Sequence, residues 1–290
     1  MPIVTISRES YTQAKEVAEK AAHKLGFRCI SREVLIEASE EFNVPEIKLL
    51  RAIRDAPLAL DRFTFGKERY TAYIRVALLQ QFQSDNVVYH GLAGHHLVEK
   101  IPHVLKVRII GDREDRVNIV MRRPEVFDQA SLAMRGMSVP GLKRPGTPRP
   151  ISKDKALRIL EEIDESRRRW GLHLYGVDTQ NPSLYDLVIR IGKLSVDDAA
   201  DLICRAAGLD QFQATAESQG AIDDLLLAAR VKGNLVDRHP RIVVTANKGA
   251  VYVALESGSS SEATAIRETI AQIPGIEKVD VNVYPLVTPD

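Results

Sequence analysis

Glycine is missing where the opening of this chain would need it most. Residues 3–25 read as strand, short polar loop and helix, yet the loop runs Ser7, Arg8, Glu9, Ser10, Tyr11, Thr12, Gln13. Such a loop has no residue suited to φ > 0 and no bare backbone against which a bulky anion could sit closely. Other scarcities exclude whole classes. The chain has only two cysteines, Cys29 and Cys204, far apart in apolar stretches and without metal-ligand spacing. They are expected to be buried structural thiols of a reducing compartment rather than a disulfide framework. An excess of one charge is also lacking. Forty Lys and Arg against 39 Asp and Glu leave +1, so no global field draws the chain to nucleic acid or a membrane. No apolar run is long enough to span a bilayer. No basic segment followed by an apolar one precedes the first strand. A soluble, cytoplasmic protein with no nucleic-acid partner is expected.

At 290 residues and 44% hydrophobic content, the chain has enough apolar material for one large or two ordinary domains. Ile3-Val4-Thr5-Ile6 is a β-branched run typical of a buried strand. Ala14, Val17, Ala18, Ala21, Ala22 and Leu25 then fall at helical spacing, and Gly26 stops them. A short strand is expected at 27–30. A helix follows from Ser31 and fades at Asn43-Val44-Pro45; another spans 46–54. An irregular excursion covers 55–66, and an amphipathic helix 67–84. Strands at 86–90 and 104–110 flank a turn of small residues at 91–96, and a helix follows to Arg122. Strands alternating with helices argue for a parallel sheet covered on both faces, with its ligand at the C-terminal strand ends.

A Pro-rich, basic insert at 124–150 breaks the rhythm and reads as a mobile functional loop, a lid by its place in the chain, or as a plain solvated or disordered loop. A helix at 153–170, a strand at 185–191 and a helix at 196–207 complete the first unit, residues 1–209. A polar segment without apolar period, 210–219, is the expected linker. Residues 220–290 change character. A helix at 221–231, a strand at 241–246, a tight turn at Asn247-Lys248-Gly249, a return strand at 251–255, a helix at 261–273 and a strand at 279–283 make a small α+β unit. Its hairpin edge could pair with a second copy in a homo-oligomer.

Against the phosphate-loop pattern G-x-x-x-x-G-K-[ST], the opening loop reads Glu9-x-x-x-x-Ala14-Lys15-Glu16. Only the lysine remains. Glu16 cannot serve as the magnesium-binding hydroxyl, and Glu9 and Glu16 put carboxylates where phosphate would sit. Lys15 reads equally as a phosphate contact or a solvated lysine. The Arg167–Arg169 run reads as anion contacts or as cations at a helix C-terminus, and Arg32 as a ligand or a capping-region residue. His90, His95 and His96 match no zinc spacing and fit a cleft-lining turn better. Phe63, Phe65 and Tyr70 fit core or lid packing better than base stacking.

Several segments carry a family resemblance: Ile3 to Glu9, the helix from Lys15 to Lys20, Ile30-Ser31-Arg32-Glu33-Val34-Leu35-Ile36, the strand Val87 to His90, the helix Asp164 to Trp170, and Tyr185-Asp186-Leu187-Val188-Ile189. In order and spacing they resemble the cytidylate kinase-like family of phosphate-loop nucleoside monophosphate kinases. The resemblance implies phosphoryl transfer from ATP with Mg2+, in which the protein chiefly positions phosphates and supplies positive charge. Lys15 matches the phosphate-loop lysine, and Arg167 and Arg168 the lid arginines, with Asp164 one turn before. Ser7, Arg8, Tyr11, Thr12, Gln13, Ala14, Lys15, Arg32, His90 and Gly91 fall at nucleotide- or phosphate-binding positions. Tyr11, Gln13 and Ala14 stand where that family has glycines, Ser31 where it often has an acid, and His90-Gly91 where it usually has glycine-arginine. Residues 221–285 resemble the BON domain, a small ligand- or lipid-associated module, through Arg241-Ile-Val-Val-Thr, Asn247-Lys-Gly-Ala-Val and Ile273-Pro-Gly-Ile-Glu-Lys-Val.

Three readings follow. The chain is a nucleotide-binding phosphotransferase with a degenerate phosphate loop; or an inactive, pseudokinase-like regulatory module read out through the BON-like unit and its unknown ligand; or an interaction scaffold.

Overall fold

The computed structural model describes residues 2–9, 11–31, 33–45, 48–49, 66–91, 94–122, 150–256 and 260–284. The expected helix at 46–54, the excursion at 55–66 and the insert at 124–150 fall largely outside them. So does Arg32.

Strand β1 (Ile3–Arg8) sits centrally in a five-stranded parallel sheet with β2 (Arg28–Ile30), β3 (Val87–His90), β4 (Val104–Gly111) and β5 (Leu187–Ile191). The order across the sheet is β2-β3-β1-β4-β5, an α/β arrangement consistent with a nucleoside monophosphate kinase-like fold. The chain leaves β1 toward β2 and leaves β4 toward β5. These neighbouring strands therefore send their connections in opposite directions, which opens a crevice at their C-terminal ends.

Alternation along each strand builds two apolar layers. Val4, Ile6, Val88, Leu105, Val107 and Ile109 pack against helices α1 (Tyr11–Leu25) and α6 (Val196–Ala207). Ile3, Val87, Tyr89 and Val104 face α2 (Glu33–Glu41) and α3 (Gly66–Gln83) on the other side. A smaller cluster joins Val117 and Val120 of α4 (Arg113–Arg122) to Ala156 and Leu160 of α5 (Lys153–Tyr175). Both cysteines are free and half-buried beside the α1–α6 layer. Burial pushes the Cys29 thiol up to about 11, which makes it a poor nucleophile.

Two helix ends differ from the sequence expectation. Helix α5 runs past Trp170 because its stop signal is Gly176, left-handed at φ 70, and not the arginine run. Helix α7 (Ala216–Leu235) begins inside the segment expected to be linker. Thr215 and Ser218 form a reciprocal capping box that starts it. A polar first turn carries no apolar period, so the sequence pattern misses it.

Helix α7 then serves two cores. Ile222, Leu226, Ala229 and Val236, just beyond its end, join the α2–α3 layer, while Leu227, Val231 and Leu235 cover the small sheet of the C-terminal unit. That sheet orders β6 (Val243–Asn247), β7 (Ala250–Glu256) and β8 (Lys278–Tyr284), with helix α8 (Ser260–Ile270) contributing to its cover. Strands β6 and β7 pair antiparallel through the expected turn at Lys248 and Gly249; β7 and β8 pair parallel.

Candidate functional site

The crevice at the sheet's C-terminal edge has two sides. On the β3 side, Arg8 ends β1 and His90 ends β3. Arg8 Nη1 lies 3.0 Å from His90 Nδ1. A guanidinium only donates, so the ring nitrogen accepts and the imidazole is neutral. Burial, then the charges of Arg8 and Lys15, hold His90 down to about 4. The sequence-expected residues Arg8, Lys15 and His90 are thus brought together. Lys15 projects from α1, half-exposed, with Glu19 3.4 Å away one turn on. Gly91 follows at φ 154, where a Cβ would stand 3.3 Å from the Tyr89 hydroxyl, so a glycine is what lets the chain leave β3 here.

Glu9 and Ser10 alone separate β1 from the first turn of α1. Backbone N–H groups at Tyr11, Thr12 and Gln13 open that helix and have no acceptor one turn back, the feature that favours an anion at a helix N-terminus. The side chains of Tyr11 and Thr12 fall outside the described residues. Ala14 is fully buried in the α1–α6 layer, so only its backbone borders the turn. Gln13 Oε1 is buried and has no hydrogen-bond partner among the described residues.

On the β4 side, two buried arginines meet carboxylates. Arg108 of β4 places Nη2 3.2 Å from Glu9 Oε1 and donates through Nη1 to the Thr179 carbonyl at 2.7 Å and the Tyr185 hydroxyl at 3.3 Å. The Tyr185 hydroxyl also reaches Ser7 Oγ at 3.2 Å. Arg116 of α4 holds Asp164 of α5 with both terminal nitrogens, at 3.0 and 2.7 Å, and lies 3.8 Å from Glu9 Oε2. Gly111 makes room for this, since a Cβ there would stand 3.0 Å from Arg116 Cγ.

Of the expected lid residues, Asp164 therefore reaches this side through Arg116. Arg168 instead grips Glu165 of its own helix at 2.8 and 3.1 Å, with Asp178 3.9 Å away. Those contacts, with Arg169, hold the Glu165 carboxyl down to about 2. The side chain of Arg167 falls outside the described residues. His96 stacks on Tyr175 at 4.9 Å, and burial holds its ring down to about 4; the His95 side chain is not described.

Sequence reasoning missed Arg108, Arg116 and Tyr185 as parts of the site. A signal existed for the first. Arg108 interrupts an apolar parallel strand, where a charge is expensive unless it has a specific partner. Arg116 precedes the apolar pair Val117 and Val120 and carries no such mark.

The residues present suit an anion better than a bound metal. Among the described residues, no three His, Cys, Asp or Glu side chains are grouped to hold a metal ion. Magnesium commonly binds through substrate phosphates with few protein ligands, so it would arrive with a nucleotide rather than in a protein cage.

The chain is similar to known proteins over part of its length. A cytidylate kinase of Pyrobaculum neutrophilum is 40% identical over 57 residues, 18% of this chain. The matched stretch spans 31% of that protein's length. A crystal structure of an uncharacterized protein from Eubacterium ventriosum ATCC 27560 superposes with a TM-score of 0.45 at 18% identity, covering 71% of this chain and 98% of that one. The cytidylate kinase-like family matches residues 3–138, the part of the chain that carries β1 to β4.

Proposed function

We propose that the chain is a nucleotide-binding, cytidylate kinase-like protein whose phosphate seat lies where β1 meets α1. The observation that carries this reading is the juxtaposition of Arg8 and Lys15 at the N-terminal end of α1, beside the crevice between β1 and β4. A helix N-terminus and two cations suit a phosphate chain. As a phosphotransferase, the protein would take ATP with Mg2+ and a nucleoside monophosphate. Lys15 and Arg8 would hold phosphates, and Asp164 and Arg168 would act from α5. ATP and Mg2+ would supply the transferable group and its charge neutralisation; the chain would supply orientation.

A second reading, binding without turnover, is favoured by one feature of the first helix. Glu16 stands where the phosphate-loop pattern needs a hydroxyl for Mg2+. Such a module would be read out through helix α7, which packs on both cores, and through the BON-like unit with its own ligand.

Calorimetry with ATP, CMP and other nucleotides, with and without Mg2+, paired with an assay for ADP formation, separates the two. Turnover abolished by Lys15→Ala supports the enzyme; binding without ADP formation supports the regulatory module. Absence of any nucleotide binding overturns both and leaves a scaffold.

A further inference from the structure

We propose that the Glu9 carboxylate is a built-in stand-in for phosphate: it fills an anion seat between Arg108 and Arg116, which an external phosphoryl group takes when Glu9 swings out. The inference rests on the reading that this crevice receives the phosphates of a nucleotide.

The seat is layered. The Arg108 and Arg116 side chains are 7% and 9% exposed, and the Glu9 side chain 25%. The carboxylate is therefore the outer member, and a ligand arriving from solvent meets it first. Its backbone is fixed independently, because the Glu9 N–H donates to the Ile109 carbonyl at 3.1 Å. Only side-chain torsions need change to clear the seat.

The arginines would remain in place when Glu9 leaves. Arg108 keeps the Thr179 carbonyl and the Tyr185 hydroxyl, and Arg116 keeps its two-pronged grip on Asp164. A seat held from behind is preorganised for an oxyanion. Glu9 supplies the carboxylate beside buried Arg108, as Asp164 does for Arg116, so neither guanidinium is left uncompensated without a ligand, a state that would be strongly destabilising. A phosphoryl group offers the same kind of oxygen acceptors with more charge, and arginine pairs with it well. Affinity in the native chain is then the difference between two anions competing for one seat.

The test is calorimetry on the full chain with inorganic phosphate and with ATP, for wild type, Glu9→Gln and the shorter Glu9→Asp, each checked for folding by thermal melting. Glu9→Gln is expected to bind inorganic phosphate roughly tenfold more tightly, the scale of one charge-assisted contact, and Glu9→Asp to gain less. Adding Arg108→Gln to Glu9→Gln should cancel the gain. If Glu9→Gln does not fold, Glu9→Asp alone must show a gain. Unchanged or weaker phosphate binding in the variants overturns the inference, and does so without touching the nucleotide reading if wild type still binds ATP. A phosphate gain in Glu9→Gln, with no nucleotide bound by any chain, supports the seat and overturns the nucleotide reading. No phosphate or nucleotide binding in any chain overturns both.

Discussion

The two sides of the crevice solve the same electrostatic problem differently. On the β4 side, Arg108 and Arg116 are buried and each meets a carboxylate, Glu9 or Asp164. On the β3 side, Arg8 donates to a neutral histidine, and Lys15 stands nearby on an exposed helix face. Burial accounts for the difference. A cation withdrawn from water needs a counter-charge within the fold, whereas an exposed pair such as Lys15–Glu19 is largely screened by solvent and leaves Lys15 accessible to a ligand. Removing charge on the β4 side should therefore cost stability as well as any anion seated between Arg108 and Arg116, whereas removing charge on the β3 side should cost mainly binding.

The sharpest way to break this comparison is Arg116→Ala. It strands Asp164 and deprives Glu9 of a neighbour, so a loss of about 3–5 kcal/mol is expected in urea or thermal unfolding. A loss below about 1 kcal/mol, the range of exposed ion pairs, would place the β4 side in the same class as the β3 side.

The next effect is pH-dependent and belongs to His90. Its folded ring resists protonation down to about 4, while the unfolded chain binds the proton near 6.5. Between those values the unfolded state holds more protons, so stability is full above about 6.5 and is lost as pH falls toward 4. This amounts to up to about 3 kcal/mol. His96 shifts in the same direction, so His90→Gln should remove part of the acid-side slope of a melting-temperature profile. An identical slope in the variant would show that burial and the neighbouring cations do not hold the His90 ring neutral in solution.

Gly111→Ala comes third. Its new methyl would press on the Arg116 stem at 3.0 Å, and overpacking of this kind costs about 1–3 kcal/mol. Unfolding measurements on this variant and on Gly111→Ala with Asp164→Asn should be non-additive if the stem and the ion pair move together.

Lys15→Ala should matter least to stability, no more than about 0.5 kcal/mol, as for an exposed i,i+4 pair. Its expected consequence is weaker nucleotide binding. A variant that binds as wild type does would move the phosphate seat away from the β3 side.

Much of the architecture was legible because it depends on local rules. The β-branched run of β1, the helical spacing from Ala14 to Leu25, and the strands at Val87–His90, Val104–Gly111 and Leu187–Ile191 all carry their period in the residues themselves. The start of α7 was not legible. Its capping box is polar, and its apolar positions serve two different cores. A helix that faces two ways shows a blurred period, although each face is regular.

At the site, the sequence marked Arg8, Lys15 and His90 through strand ends and helix starts, and the tertiary structure brought them into one neighbourhood. It also flagged Glu9 as an obstacle to phosphate. Only the folded chain shows what that carboxylate touches, because Arg108 and Arg116 reach it from a different strand and a different helix.

By itself, then, the sequence determined the alternation of strands and helices, the place of the opening turn and the absence of its glycines, since each follows from residue types at short range. The tertiary structure alone decided which arginines face Glu9, that Arg116 holds Asp164 from a different helix, and that α7 binds two cores together. Ion pairs between distant segments and helix packing depend on three-dimensional register, and no local pattern encodes that register.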